Sequence, residues 1–340
     1  MLPKDVQANA VGISSEQATV QWSDGHTGVY PHSWLKDHQL PPALRPSQEI
    51  LNFREFKYVS DDFNHPTVDF QEVMETSDGL ALWLAHIVDY GYCMVRGVPL
   101  EPEITQGLLE RIAFIRHTHY GGFWDFTSDL TYKDTAYTSE ALDVHTDNTY
   151  FSDPARLQLF HLLSHTGGEG GETLLVDGFR AAAVMYAESQ ANVKALANIP
   201  QPWHSSGNDD VCIQPYQLFP VFERDESTAI LRRIRWNNYD RAVKVDWTPQ
   251  EAELWYEAAR HYNNIINRAN IKIKMQLEPG TAFIFDNWRM LHGRTEFRGK
   301  RRMCGGYINN DDFISRYRLL RDGREKTLNK IGTLDTRITC

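Results

Sequence analysis

The 340-residue chain has few cysteines and no long apolar run. The four cysteines have no paired spacing, which predicts free thiols, a reducing compartment and no cysteine-based zinc motif. No stretch reaches the roughly eighteen consecutive apolar residues of a membrane helix. The phosphate-binding patterns GxGxxG and GxxxxGK(S/T) are also absent, which disfavours a nucleotide-binding fold.

Positive charge is scarce as well. The chain carries 35 basic and 45 acidic residues, a formal net charge of −10. The one dense basic cluster is RGKRR at 298–302, too short to form a binding face by itself. We therefore expect no nucleic acid and no membrane as partners.

The order of segments predicts two domains. Residues 18–22 alternate apolar and polar side chains, and the turn SDGHTG then leads to Val29 and Tyr30, which indicates a hairpin. A proline-rich stretch, LPPALRP at 40–46, marks a boundary. The prediction is a small N-terminal β domain over 1–55 and a catalytic domain over 56–340.

The second domain mixes helices with many short strands. Helical spacing of apolar residues predicts a helix over 103–116, and Thr248-Pro-Gln-Glu begins another one as a capping box. Strands are predicted within YCMVRGV, LQLFHLL, ETLLVDG, AILRRIRW, TAFIFDNW and CGGYI. Short strands punctuated by glycine are typical of a sandwich or jelly roll, so the predicted fold class is mixed α+β and mainly β.

A candidate metal site starts at His145-Thr146-Asp147. Two ligand-capable side chains separated by one residue lie on the same side of an extended segment. A lone HxD is a weak signal, but His292 follows far downstream at the end of a predicted strand. Two imidazoles and one carboxylate leave open positions on the metal, which is the ligand set of non-haem iron(II) oxygenases.

An arginine beyond the distal histidine fits a dicarboxylate cosubstrate. 2-Oxoglutarate would bind iron through its keto-acid end, and its far carboxylate needs a cation. Arg301, nine residues past His292, is our candidate because a guanidinium binds a carboxylate with two hydrogen bonds. Thr173 in GGET is the candidate for an assisting hydroxyl, although a strand threonine with no such role is as plausible.

Together HTDNTYF, GGETLLVDGF, IRWNNYDRAV and FDNWRMLHGR…RRMCGGY resemble the γ-butyrobetaine hydroxylase and trimethyllysine dioxygenase family. THYGGFWDFTSD and DTAYTSEALDVHTD are more similar to the trimethyllysine branch. The resemblance covers roughly residues 10–320, with the motifs in the family's order. It implies a double-stranded β-helix (jelly-roll) core flanked by helices, a small N-terminal β domain, and iron(II), 2-oxoglutarate and O₂ as reactants, with ascorbate as a possible reductant.

The resemblance also implies how a small cationic substrate is bound. The family holds a trimethylammonium group in an aromatic cage, and the matching positions here are Tyr120, Trp124, Tyr137 and Tyr307. Ring faces suit a quaternary ammonium, which has no proton to donate. Asp134 and Asn237 match positions that contact the other end of the substrate, and an acidic Asp134 suits an α-amino group. Tyr239 and Asp240 either support the same end or are structural.

One departure from the family lies in the N-terminal domain. Family members often bind zinc there through clustered cysteines and a histidine. His26 resembles that histidine, but no cysteine precedes Cys93, so we expect no structural zinc. By family analogy we expect a homodimer in the mitochondrial matrix, with the cytoplasm as the alternative because no presequence is visible.

The predicted activity is hydroxylation of N6,N6,N6-trimethyl-L-lysine at C3, coupled to conversion of 2-oxoglutarate to succinate and CO₂. The alternative within the fold is a γ-butyrobetaine hydroxylase, or a relative that acts on another amino acid. A silent reader of methyl-lysine would have no need of the three metal ligands or Arg301. A cupin-like structural protein with a chance HxD would bind no stoichiometric iron.

Overall fold

A three-stranded antiparallel sheet forms most of the small N-terminal unit. Its strands are β1 (Ala8–Ile13), β2 (Gln17–Trp22) and β3 (Thr27–Pro31), in the order β1-β2-β3, and helix α1 (His32–Asp37) follows. Gly25 takes φ 90° in the β2–β3 turn, a conformation that suits a residue without Cβ. The predicted hairpin is confirmed, with Ala18 opposite Tyr30. His26 stacks on Trp22 at 5.7 Å and its Nδ1 lies 2.6 Å from Asp24 Oδ1.

The computed structural model describes residues 5–37, 49–59, 64–127 and 139–331. The described residues fall into two compact units, 5–37 with 322–331, and 49–321 apart from its gaps. The division after residue 55 stays a prediction. No helix among the described residues is long and apolar enough to cross a membrane.

The larger unit is built on two sheets. The first has six strands in the order β4-β5-β13-β8-β15-β6, and its neighbours are antiparallel except for β4 and β5. These strands are β4 (Thr67–Asp69), β5 (Tyr92–Arg96), β6 (Trp124–Thr127), β8 (Leu157–Thr166), β13 (Thr281–Asp286) and β15 (Lys300–Ile308).

The second sheet has four antiparallel strands in the order β12-β9-β14-β7. They are β7 (Leu142–His145), β9 (Thr173–Asp177), β12 (Lys272–Met275) and β14 (Met290–Arg294). A separate two-stranded ribbon pairs β10 (Phe222–Arg224) with β11 (Leu231–Ile234). Each run that we predicted as a strand either contains one of these strands or lies within one.

Alternating side chains place the core in three layers. In β13, Phe283 and Phe285 pack between the two sheets, whereas Ala282 and Ile284 pack on the opposite face. The middle layer also holds Leu175 from β9, so it joins both sheets. Two buried sheets packed face to face with helices outside form the predicted jelly-roll core.

Helices cover the outer faces. α2 (Phe70–Glu75), α3 (Ser77–Tyr90), α4 (Pro102–Glu110) and the first part of α8 (Asn310–Asn329) lie on the six-stranded side. The other sheet is covered by α5 (Gly178–Glu188), α6 (Gln190–Asn198) and α7 (Pro249–Ile266). α7 begins with the predicted capping box, in which Thr248 and Glu251 each bond the other's backbone N–H.

The helix predicted over 103–116 is shorter than expected. α4 ends at Glu110, and residues beyond it are drawn into pairing with β15. Ile115 forms an antiparallel bridge to Ile308, and the Arg116 N–H donates to the Tyr307 carbonyl at 2.8 Å. The prediction was wrong at this end because sheet pairing replaced the helical hydrogen bonds.

Candidate active site

A pocket of about 450 Å³ is lined by side chains from both sheets of the larger unit. Strands β8 and β15 contribute Gln158, Phe160, Arg301 and Tyr307, and strands β9 and β14 contribute Thr173 and His292. These are inward-facing positions of strands whose alternate residues pack in the outer layers. The pocket is therefore the polar end of the space between the sheets.

The three predicted metal ligands come together at the wall of this pocket. His145 ends β7 and pairs directly with His292 of β14, so both imidazoles lie on one face of the sheet. Met290, two residues before His292, packs in the middle layer, which shows that this face points inward. Asp147 follows His145 by two residues.

The distances fit one metal ion. Ligand atoms of His145, Asp147 and His292 all lie within 4.8 Å of one another. His145 Nε2 is 3.3 Å from Asp147 Oδ1, and His292 Nε2 is 3.9 Å from Asp147 Oδ2. Two imidazole nitrogens and one carboxylate without thiolate suit iron(II) with positions left for other ligands.

Neighbouring groups hold these ligands in place. The Nδ1 of His145 lies 2.7 Å from the Asp143 carbonyl, which fixes that nitrogen as the donor and leaves Nε2 for a metal. Gln158 Nε2 and the Tyr307 hydroxyl donate to Asp147 Oδ2 at 2.7 and 2.9 Å. These contacts aim the carboxylate before any metal binds.

The loop after β7 is anchored by one amide. Asn287 accepts from the Asp147 N–H at 2.7 Å and donates to the Asp147 and Ala155 carbonyls at 3.0 Å each. Asn287 is 1% exposed. A buried side chain with three such bonds fixes the backbone that carries the central ligand.

Electrostatics favour the ligating forms of Asp147 and His292. Burial opposes ionisation of Asp147, but His292, His145 and the Tyr307 hydroxyl outweigh it, so the pKa of Asp147 lies below its usual range. Burial, aided by the neighbouring His145, lowers the pKa of His292 to about 3. Although burial opposes protonation of His145, Asp147 raises the pKa of that histidine. A metal cation at the same place would compete with that proton.

Arg301 is a buried cation aimed at the pocket. It is 3% exposed, and burial lowers its pKa. Within the described part of the chain its Nε has no hydrogen-bond partner, and Nη2 reaches the weak acceptor Sδ of Met303 at 3.6 Å. The guanidinium lies over the Phe297 ring at 5.1 Å. A carboxylate ligand would satisfy this group, so the site fits the far end of 2-oxoglutarate.

Thr173 lies on the same wall, 8% exposed. It pairs with Arg294 of β14, and Arg294 also lines the pocket. Burial and the nearby charge of Arg301 lower the pKa of Arg294 to about 10. Two guanidiniums and a hydroxyl thus give this part of the pocket a positive character.

Three of the four predicted cage residues line the pocket together. Trp124 of β6 meets Tyr307 edge to face at 6.3 Å, and Tyr120 lies beside them in the pocket wall. Phe160 packs on Trp124 at 5.2 Å. The ring faces offer a cation the quadrupole attraction described for aromatic cages. The fourth residue, Tyr137, and the predicted polar contact Asp134 lie outside the described residues.

Asn237 is placed at the polar side of the pocket. Tyr239 and Asp240 are there too, and the Thr149 hydroxyl donates to Asp240 at 2.5 Å. Sequence reasoning missed Gln158, Arg294 and Asn148, which also line the pocket. A signal existed for Gln158, a polar residue at an inward position of an otherwise apolar strand, and for Arg294, two residues past His292 on the same face.

Comparison with known proteins places the chain in a family. A sequence model of the taurine catabolism dioxygenase TauD, TfdA family matches residues 55–307. The chain belongs to this family. The predicted class, a dioxygenase enzyme, is thereby confirmed.

Curated relatives narrow the branch. Trimethyllysine dioxygenase of Neurospora crassa is 42% identical, with 97% of this chain and 76% of the relative covered. The human protein named trimethyllysine dioxygenase, mitochondrial, is 38% identical over 88% of this chain and 71% of its own. A γ-butyrobetaine dioxygenase from Pseudomonas sp. is 30% identical over 94% and 82%. The resemblance to the γ-butyrobetaine and trimethyllysine dioxygenases is confirmed.

Solved structures support the fold. A putative α-ketoglutarate-dependent taurine dioxygenase from Burkholderia xenovorans aligns with TM-score 0.55 and 14% identity, covering 74% of this chain and 92% of its own. The non-haem iron oxygenase OrfP aligns with TM-score 0.53 and 14% identity, covering 72% and 94%. The predicted jelly-roll class is confirmed by these likenesses.

Proposed function

We propose that this protein hydroxylates N6,N6,N6-trimethyl-L-lysine at C3 while 2-oxoglutarate and O₂ are converted to succinate and CO₂. The observation that carries the proposal is one pocket that joins the His145, Asp147 and His292 cluster to a buried guanidinium and to aromatic rings. The names of the relatives add support, because relatives that are 42% and 38% identical are called trimethyllysine dioxygenases.

In this account each wall of the pocket has one task. His145, Asp147 and His292 hold iron(II), and Arg301 with Thr173 holds the far carboxylate of 2-oxoglutarate. When bound, these two groups and O₂ supply the chemistry that replaces a C–H hydrogen by a hydroxyl. The chain itself fixes the carboxylate of Asp147 through Gln158, which keeps the metal in one position.

The substrate is held at both ends. We assign the trimethylammonium group to Tyr120, Trp124 and Tyr307 of the pocket, and the amino-acid end to Asn237. Tyr137 and Asp134, which lie outside the described residues, stay predicted contacts of these two ends. Fixing both ends of a flexible chain selects which carbon faces the metal, and such positioning contributes several kcal/mol of barrier reduction. The aromatic wall also shields the reacting carbon from water.

The test is a side-by-side turnover experiment. Protein reconstituted with iron(II) under anaerobic conditions is given O₂ with trimethyllysine, γ-butyrobetaine or no prime substrate, and succinate is counted. We expect succinate to rise strongly with trimethyllysine and little with γ-butyrobetaine. The reverse preference would favour the γ-butyrobetaine hydroxylase alternative, whose named relative is less similar in sequence. No response to either would direct the search to other amino acids.

We further propose a homodimer in the mitochondrial matrix, with ascorbate as the reductant that restores iron(II). The mammalian relatives are named mitochondrial, which supports the compartment. Light scattering of the purified chain tests the dimer, and fractionation of cells that express it tests the location. Recovery of activity on adding ascorbate after substrate-free turnover tests the reductant.

A further inference from the structure

We infer that Asn148 is a specificity-determining residue, whose side-chain amide binds the α-carboxylate of the amino-acid substrate. This inference rests on the proposed function and deepens it. Asn148 directly follows the predicted metal ligand Asp147 and lines the pocket. It was not among the residues that the sequence singled out.

The side chain of Asn148 is buried without a well-formed hydrogen bond. It is 2% exposed, and within the described part of the chain neither Oδ1 nor Nδ2 meets a partner at good hydrogen-bond geometry. The Tyr150 hydroxyl interacts with this amide only weakly. An unsatisfied buried amide costs about 1–3 kcal/mol, so such groups are uncommon unless a ligand or water completes them. The neighbouring Asn287, with three hydrogen bonds, shows what a purely structural amide looks like here.

The backbone of Asn148 adds a second observation. Its φ is 59°, in the left-handed region, where a non-glycine residue is unusual. Ala229 is the other non-glycine residue with positive φ in the described ranges. Such conformations concentrate at functional sites, and this one turns the side chain of the residue after Asp147 toward the pocket.

The wall around Asn148 fits the head group of an amino acid. Segments 146–149 and 236–240 run side by side, joined by Thr146 N–H to the Trp236 carbonyl at 2.8 Å and by the Thr149–Asp240 hydrogen bond. This pairing brings Asn148 into the same wall as Asn237 and Asp240. The wall therefore offers amide donors for a carboxylate and a carboxylate for an ammonium.

The distribution of charge in the pocket favours the Asn148 amide as the partner of the substrate's α-carboxylate. The described cationic side chains of the pocket, Arg294 and Arg301, lie on β14 and β15, where we place 2-oxoglutarate. An α-carboxylate at the opposite wall thus needs neutral donors. Nδ2 of Asn148 is a donor with no acceptor at good hydrogen-bond geometry in the described part of the chain, whereas Asp240 on that wall suits the ammonium.

The decisive variant is Asn148→Gly, because glycine takes positive φ without strain and only the amide is lost. Ala229→Gly is the matched control, a positive-φ residue outside the pocket. We measure KM and kcat for trimethyllysine and for 5-(trimethylammonio)pentylamine, which lacks the carboxylate. Calorimetric Kd values for both compounds, with Mn²⁺ in place of iron, give a second readout that does not depend on turnover.

We expect Asn148→Gly to raise KM and Kd for trimethyllysine about tenfold or more, the loss of a hydrogen bond to a charged group. The same variant should change KM and Kd for the amine less than about threefold, because the amine has no carboxylate for the Asn148 amide to bind. Ala229→Gly should leave KM and Kd unchanged for both compounds. Equal losses for both compounds, or no loss for either, would overturn the inference.

Asn148→Asp keeps the result decisive if the glycine variant unfolds. Aspartate has the same shape and tolerates positive φ, but it repels a carboxylate. We expect a larger KM increase for trimethyllysine than for the amine, and an equal increase would overturn the inference. If the unaltered protein shows no turnover and no binding of trimethyllysine, the proposed function fails, and the inference fails with it. If the unaltered protein turns over trimethyllysine and the Asn148 variants do so equally well, only the inference about Asn148 fails.

Discussion

Replacing Arg301 by methionine should produce two effects of opposite sign. The guanidinium is 3% exposed, and among the described residues no acceptor meets its Nε. In the empty protein it is thus a buried cation with little compensation, held mainly over Phe297. With 2-oxoglutarate bound, the same group has a carboxylate partner. Arg301→Met should therefore weaken cosubstrate binding without destabilising the empty protein.

The magnitudes follow from the burial. Truncating one partner of a buried, hydrogen-bonded charge pair costs about 2–5 kcal/mol, or about 30-fold to several thousandfold in affinity for 2-oxoglutarate. Replacing a buried charge that has no charged partner by an apolar side chain removes the cost of burying that charge, so stability should be kept or should rise. Loss of the ring contact opposes this by about 1 kcal/mol. We expect the free energy of unfolding of the empty variant to be unchanged or higher.

Arg302→Met is the matched control on the same strand. Arg302 lies on the opposite face, 47% exposed in its side chain, and forms a two-point ion pair with Asp125 at 2.9 and 2.5 Å. An exposed pair is worth about 1 kcal/mol or less. Its loss should leave cosubstrate affinity unchanged and lower stability slightly.

The assay combines calorimetric titration of 2-oxoglutarate into Mn²⁺-loaded protein with urea unfolding of the metal-free protein. A Kd for 2-oxoglutarate that stays within threefold of the unaltered protein would refute the assignment of Arg301. A fall of more than about 2 kcal/mol in unfolding free energy, together with weaker binding, would indicate that Arg301 mainly supports the fold.

Three further changes test the site and its support. Tyr307→Phe keeps the ring but removes the hydroxyl that donates to Asp147. The Kd for iron should therefore rise about tenfold in a metal titration. An unchanged Kd would contradict the role of the Tyr307 hydroxyl in positioning Asp147. Trp124→Leu should lower the preference for trimethyllysine over lysine about five- to thirtyfold in competition assays, because leucine has no ring face; equal preference would exclude it from the cage. Arg289→Ala leaves Asp177 buried without its partner, 2.6 Å away, and should cost about 3–5 kcal/mol in urea unfolding, whereas a loss below 1 kcal/mol would refute this.

Local patterns predicted much of the fold. The alternation in TAFIFD is visible in the sequence, and β13 follows it with phenylalanines on one face and small aliphatics on the other. The capping box at Thr248 needs only four consecutive residues, and it forms. The early end of α4 was not predictable in this way, because Ile115 pairs with a residue almost two hundred positions later.

In the candidate site, too, the sequence predicted the residues with a local pattern and missed those that depend on long-range contacts. His145, Asp147 and His292 could be proposed because their chemistry and spacing are distinctive. The support of Asp147 by Gln158 and Asn287 depends on contacts across 11 and 140 positions that no local pattern shows. Asn148 was hidden for a further reason: its orphaned amide and positive φ are properties of the folded chain alone.

The most direct test of the central claim is product analysis after reaction of trimethyllysine under ¹⁸O₂. The account predicts one labelled hydroxyl at C3 of the substrate and one labelled oxygen in succinate, formed in equal amounts, with both products lost in Asp147→Ala. Succinate without hydroxylated trimethyllysine, or hydroxylation at another carbon, would contradict the claim that this pocket presents C3 of trimethyllysine to the metal.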